Sequence, residues 1–333
     1  MRTTQSLPLL LALSSLLCNG AGASVPNYSF PDLVAKATVI AEGSIALESG
    51  SSSYLIVDRT IKGAGSERVV FGECRLGEDG PPTVFQSGEK VTLFLSALDN
   101  SGVAYLIGLQ GKWPPANRYD TYARSDLSAL ARAVVAIDKA FAGASFEEQA
   151  DSIISMMQSK DELLQLAGLD VTLSQTLAQS LPQDKRERAR RQLAAFAIPL
   201  LKSPNCDVRG SAIRIMASAP SAVAAYALIP MVTDEDMRCR RLAKESLARV
   251  AADCKFNNSD IDDWLRRPIS VGFGAPADPD AKQMQAKFEA AWQSKREERV
   301  AKDVYHLRAG VKSASPLERA SSTEYIRYLG LPE

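Results

Sequence analysis

The sequence predicts an α+β multidomain chain in which a small five-stranded β-barrel-like module precedes an α-helical solenoid. Three observations predict it. Between Ala37 and Leu109 apolar residues come in short β-branched runs separated by turn residues. Beyond Arg118 the apolar spacing changes to the helical three-and-four pattern, with capping residues ahead of the runs. Two segments of that second half match each other at a period of about 30 residues, which is how stacked helical repeats announce themselves.

The chain opens on an export signal. Arg2 precedes an uncharged stretch in which Leu7 to Leu17 forms an apolar core, followed by Ala21-Gly22-Ala23. Residues 1–23 therefore read as a cleavable secretory signal. A membrane-spanning helix needs about 20 apolar residues. The core from Leu7 to Leu17 falls well short, so no stable membrane insertion is expected after cleavage. Leu17 stands where a lipoprotein signal carries a small residue, which disfavours acylation of Cys18. The mature protein is expected outside the cytoplasm, periplasmic or extracellular. Lysines plus arginines number 39, as do the acids, and the signal removes one basic residue, so the mature chain sits near a net charge of −1. That balance excludes a dedicated nucleic-acid binder, and 46% apolar with 23% charged residues is a globular composition.

Residues 24–118 form the expected β module and its linker. Its strands are Thr38-Val39-Ile40-Ala41 leading to Ile45, Tyr54-Leu55-Ile56-Val57 leading to Ile61, Val69-Val70-Phe71, Val91 to Leu95, and Val103 to Ile107. Turn residues separate them at Lys62 to Ser66, Gly77 to Pro82 and Asp99 to Gly102. Five short strands fit a closed barrel, because closure removes exposed edges. The run Val57 to Gly63, with Phe85-Gln86-Ser87-Gly88-Glu89-Lys90-Val91 after it, resembles the OB-like barrel of netrin and metalloproteinase-inhibitor type. Inhibitors of that family insert an amino-terminal cysteine into a protease. The segment Ser24-Val25-Pro26-Asn27 has none, so inhibitor activity is not implied.

Residues 119–268 are the expected helical array and 269–333 its C-terminal cap. Capping boxes are expected at Ser145/Glu148, Ser159/Glu162, Asp184/Glu187, Thr233/Asp236 and Ser315/Glu318, the last with Pro316 at the first helical position. Ile198-Pro199-Leu200-Leu201 leads to Asp207-Val208-Arg209, and Ile229-Pro230-Met231-Val232 leads to Asp236-Met237-Arg238. This helix-Pro, Asp-x-Arg pattern resembles the HEAT repeat family. The resemblance implies that Asp207 and Asp236 cap second helices, and that Arg209 and Arg238 pack or pair between repeats.

The residues that carry chemistry elsewhere are sparse. His306 is the sole histidine, which disfavours triads, cysteine-histidine dyads and most zinc sites. It ends a charged helical stretch, where a surface position is expected. Acid clusters at Asp234-Glu235-Asp236, Asp260-Ile261-Asp262-Asp263 and Asp278-Pro279-Asp280 lack calcium-loop spacing and sit at predicted helix starts, where acids favour the dipole. Lys185 to Arg191 reads as a solvated basic face. Gly272-Phe273-Gly274 follows no strand, so it is not a phosphate loop. Four cysteines follow the signal. If Cys239 and Cys254 bracket one helix they stand about 22 Å apart. That leaves Cys206 with Cys239 or with Cys254 as the candidate disulfide, or free thiols. No catalytic, cofactor or metal residues are assigned. The expected function is an exported, non-enzymatic scaffold whose helical surface binds an unidentified protein partner. The alternative is an envelope-polymer hydrolase using paired carboxylates.

Overall fold

The computed structural model describes residues 28–47, 53–72, 85–97, 103–107, 112–113, 122, 125–143, 145–174, 177, 179, 181, 183–254, 259–267 and 280–331. Residues 1–23 of the expected signal, Cys18 among them, and Cys74 and Gly272-Phe273-Gly274 lie outside them. The fold is α+β, and the chain divides into two compact units. One holds Lys36–Pro115. The other holds Ser29–Ala35 and Ala116–Glu333, so a short early segment belongs with the helices rather than with the β module.

The first unit is a curled sheet of β1 (Val39–Leu47), β2 (Ser53–Lys62), β3 (Arg68–Gly72), β4 (Lys90–Leu95), β5 (Val103–Tyr105) and β6 (Lys112–Trp113), in the order β5-β3-β2-β1-β4-β6. The first five are the strands expected from sequence, and β6 falls in the expected linker. Every pairing is antiparallel except β3 with β5. Past β5 the chain also reaches the end of β4: Ser96 N–H donates to the Tyr105 carbonyl at 2.9 Å and Ile107 N–H to the Phe94 carbonyl at 3.0 Å. The sheet thereby curls around Ile45, Leu55, Phe71, Val91, Leu93, Leu95 and Leu106, all buried, with Phe71 and Phe85 edge-on at 5.0 Å. Gly43 makes the curl sterically feasible. The β1–β2 register shifts beside it, and a Cβ there would stand 2.0 Å from the Ile56 carbonyl oxygen.

The second unit holds α1 (Phe30–Lys36, of which Lys36 falls in the first unit), α2 (Leu127–Phe141), α3 (Phe146–Met157), α4 (Glu162–Leu173), α5 (Gln183–Ala197), α6 (Cys206–Ser218), α7 (Ala222–Leu228), α8 (Met237–Cys254), α9 (Ser259–Arg266), α10 (Ala281–Val311) and α11 (Pro316–Tyr328). Short 3-10 turns at Pro199–Lys202 and Pro230–Thr233 lead into α6 and α8. Helix α6 packs against α4 on one side and α8 on the other, while α3, α5 and α7 pack against α4, α6 and α8 respectively. Beyond α8, Lys244 is buried with its ammonium over Trp264 at 4.4 Å, and Trp264 meets Phe288 edge-on at 6.4 Å, which joins α8, α9 and α10. The C-terminal helices do not simply extend the row, because α11 lies against α5 and α3.

Four helix starts share one brace: Ser159 to Gln165, Ser203 to Arg209, Asp234 to Arg240 and Ser313 to Arg319. In each, the first residue accepts from the amide two positions on: Ser159 from Asp161 at 3.1 Å, Ser203 from Asn205 at 3.2 Å, Asp234 from Asp236 at 2.8 Å and Ser313 from Ser315 at 3.2 Å. The third residue caps the helix by accepting from an amide of its first turn. The seventh reaches back to the first residue's carbonyl: Gln165 at 2.7 Å, Arg209 at 2.8 Å, Arg240 at 2.7 Å and Arg319 at 2.6 Å. Ser145 heads a reciprocal capping box with Glu148, as expected from sequence. The expected caps Ser159 and Thr233 are corrected to Asp161 and Asp236, because the brace sets a further acceptor ahead of each cap. Ser315 caps α11 with Pro316 in its first turn, but Glu318 turns to Ser313 instead of completing a box.

Thr92 in β4 is fully buried and its hydroxyl has no hydrogen-bond partner among the described residues. Replacing that hydroxyl by a methyl group removes an unsatisfied polar atom, so Thr92→Val should raise stability by about 1 kcal/mol in urea unfolding. A loss of similar size would show that the hydroxyl is bonded.

Candidate functional site

The residues that the repeat pattern singled out converge at the starts of α6 and α8. Arg209 Nε and Nη2 donate to the two carboxylate oxygens of Asp234, each at 2.9 Å, and its Nη1 donates to the Ser203 and Pro204 carbonyls. Both side chains are nearly solvent-free, at 6% and 7% exposure. Asp236 caps α8 and accepts from the amides of Arg238 at 2.8 Å and Cys239 at 3.2 Å. The capping role expected of Asp207 is filled by Asn205, whose Oδ1 accepts from the amides of Asp207 and Val208. Asp207 instead pairs with Arg238 at 3.4 Å, across to α8. The counterpart of Arg209 by position in the brace is Arg240, at the start of α8, which makes the same two carbonyl contacts.

Cys206 and Cys239 are free thiols placed side by side. Cys239 Sγ–H donates to the Cys206 carbonyl at 3.2 Å, and Arg238 Nη2 donates to Cys206 Sγ at 2.6 Å. Burial pushes the Cys239 thiol up to about 12, aided by Asp234. Burial also raises Cys206, and Asp207 adds to it. Neither is an activated thiolate. Cys254 ends α8, and its side chain lies outside the described residues. The acid clusters are likewise engaged in structure: Asp260 pairs with Lys287 at 2.7 Å and Asp280 with Arg267 at 3.3 Å.

A cleft of about 450 Å³ opens elsewhere, where α5, the start of α7, the end of α10 and α11 meet. Helix α5 supplies Arg188, Arg191 and Gln192, and α10 supplies His306 and Leu307. Pro220, Ala222 and Val223 form an apolar wall, while Glu318, Ser321, Ser322 and Tyr325 come from α11. Two contacts hold α11 in place. Arg188 Nη2 pairs with Glu318 at 2.7 Å, and the Tyr325 hydroxyl donates to the Arg191 carbonyl at 2.6 Å. Burial raises the Tyr325 phenol far above the tyrosine range, so it stays a donor. Gly310 allows the close approach of α10 to α11, since a Cβ there would lie 2.2 Å from Ser322 Oγ. His306 and Gln192 have no hydrogen-bond partner among the described residues.

The sequence marks Lys185 to Arg191 as a solvated face and His306 as a surface residue, and it gives no sign of the cleft. The cleft draws on segments far apart in the chain, from α5 to α11, and no local motif signals it.

No protein-family model matches the sequence, and no curated protein matches it. Among solved structures, a crystal structure of an engineered protein aligns at 15% identity over 62% of this chain and 93% of that chain, with a TM-score of 0.31. That likeness is too slight to bear on fold or function.

Two outcomes test the network at the helix starts. Arg209→Ala strands the Asp234 carboxylate in a buried site and should lower stability by about 3–5 kcal/mol. Adding Asp234→Ala should restore part of that loss, read by chemical denaturation. The second outcome concerns acid. Desolvation alone would raise the Asp236 carboxyl, but the amides of Cys239 and Arg238 and the Arg238 charge outweigh it, and its pKa lies below the ordinary value. A depressed folded-state pKa contributes stability above the ordinary aspartate range, and that contribution drains away as pH falls through the depressed value. Asp236→Asn keeps a capping oxygen and should flatten the acid limb of the stability profile, with a neutral-pH change within about 1 kcal/mol.

Proposed function

We propose that this chain is an exported, non-enzymatic interaction scaffold in which an OB-like barrel of netrin and metalloproteinase-inhibitor type precedes a HEAT-like helical array that binds a protein partner. The curling of strands β1 to β5 within the six-stranded sheet, with β1 between β2 and β4 and β3 parallel to β5, supports the barrel reading. The array reading rests on the brace that recurs from the start of α6 to the start of α8 and on the Arg209–Asp234 pair that joins those two helices. The observation that carries the functional reading is how the charged groups are used. Acids at the helix starts cap, brace or pair, whereas His306 and Gln192, which have no hydrogen-bond partner among the described residues, converge with arginines on the cleft of α5, α7, α10 and α11. A cleft whose described lining is rich in donors and holds no free carboxylate pair suits recognition of an acidic group better than polymer hydrolysis. The export signal and the location outside the cytoplasm belong to this same proposal.

Site-specific photocrosslinking in the exporting cell tests it. A photoreactive phenylalanine at Gln192 or at Leu307 should trap one protein, identified by mass spectrometry, and the same residue at exposed Val135 on α2 should not. Equal trapping at all three positions, or turnover of envelope polymer by the purified protein alone, would overturn the scaffold reading.

A further inference from the structure

We infer that the cleft between α5, α7, α10 and α11 binds one carboxylate group carried on a small apolar body. The inference names the ligand chemistry of the face that the scaffold reading uses, and so rests on that reading. Its first ground is charge. Among the described residues, the lining brings Arg188 and Arg191 together with one acid, Glu318. Glu318 is already engaged, with Arg188 at 2.7 Å and with the Ser313 hydroxyl. Arg191 is not held in the same way, because its acidic neighbour is Glu187 at 3.3 Å, one helical turn away and 80% exposed. The described lining is left with one cation in excess and a guanidinium whose planar fork matches the two oxygens of a carboxylate. A phosphate dianion would bring its second charge towards Glu318, so the lining favours the monoanion.

The second ground is the remaining surface. His306, without an intramolecular hydrogen bond among the described residues, faces the same cleft, and Val223 and Leu307 offer apolar surface beside it. About 450 Å³ falls within the range of sites that enclose small ligands or a terminal residue of a peptide. Two sources share this chemistry, the C-terminal residue of a partner polypeptide and a free organic acid.

The lone histidine makes the test specific, since it gives one imidazole signal in an NMR spectrum of the full mature chain. N-acetyl-leucine should shift the His306 signal saturably, and N-acetyl-leucinamide and inorganic phosphate should shift it far less. Arg191→Gln should weaken the N-acetyl-leucine response about tenfold, with an unchanged thermal melt showing that the fold is intact. A hexapeptide ending in a free leucine carboxylate, compared with its amidated form, separates the sources. Binding tighter than N-acetyl-leucine assigns the site to polypeptide termini, weaker binding assigns it to free acids, and either supports a carboxylate site. Equal responses to acid and amide, a stronger response to phosphate, or an unaltered response in Arg191→Gln would overturn the inference. The photocrosslinks from Gln192 and Leu307 report separately on the scaffold reading, which survives if they persist while every carboxylate probe is silent.

Discussion

Each helix start leaves backbone amides with no helical partner, and the second unit meets that constraint with a device that also fixes where the next helix lies. A lone cap would satisfy the amides and leave the helix free to rotate against its neighbours. The brace adds a side chain that returns from the first turn to the carbonyl ahead of it, which sets the angle at which the chain enters the helix. Asp234 extends this across helices. Its Oδ1 accepts from the Asp236 amide at the start of α8 while both oxygens receive Arg209 from α6. One carboxylate therefore ties two helix starts. The other links along this edge are more exposed, with Asn205 donating to Glu162 at 3.0 Å and Arg238 pairing with Asp207. Exposed ion pairs contribute about 0–1 kcal/mol each, whereas breaking a buried pair costs several times that, so register between α6 and α8 depends chiefly on Arg209 and Asp234.

The ease with which elements could be read follows from how local their causes are. Strands β1 to β5 were legible because β-branched runs and turn residues lie next to each other in the chain, and β6 was not, being two residues within a proline-flanked segment. The box at Ser145 was legible because its two halves sit three positions apart. Ser159 and Thr233 misled for a physical reason, since the brace places an acceptor or a hydroxyl just before the true cap and sequence gives both an equal claim. The same ambiguity shifted the repeat alignment. Asp207-x-Arg209 matches Asp236-x-Arg238 as letters, but the shared geometry pairs Asn205 with Asp236 and Arg209 with Arg240. The basic run on α5 could not be divided by sequence into structural and available cations, because the division is made by α11, whose Glu318 lies 130 residues beyond Arg188 along the chain.

That dependence makes the cleft a product of tertiary docking. Helix α11 is held to α5 by the Arg188–Glu318 pair and the Tyr325 hydroxyl, and it reaches α10 through the close contact that Gly310 permits. Withdraw α11 and the cleft loses a wall while Arg188 regains its freedom. A ligand that needs both walls binds the docked arrangement alone, and so stabilises the docking of α11 by an amount that grows with ligand concentration over its dissociation constant. For the ligand inferred above, occupancy of the cleft and docking of α11 on α5 and α10 would in this way be two readings of one equilibrium.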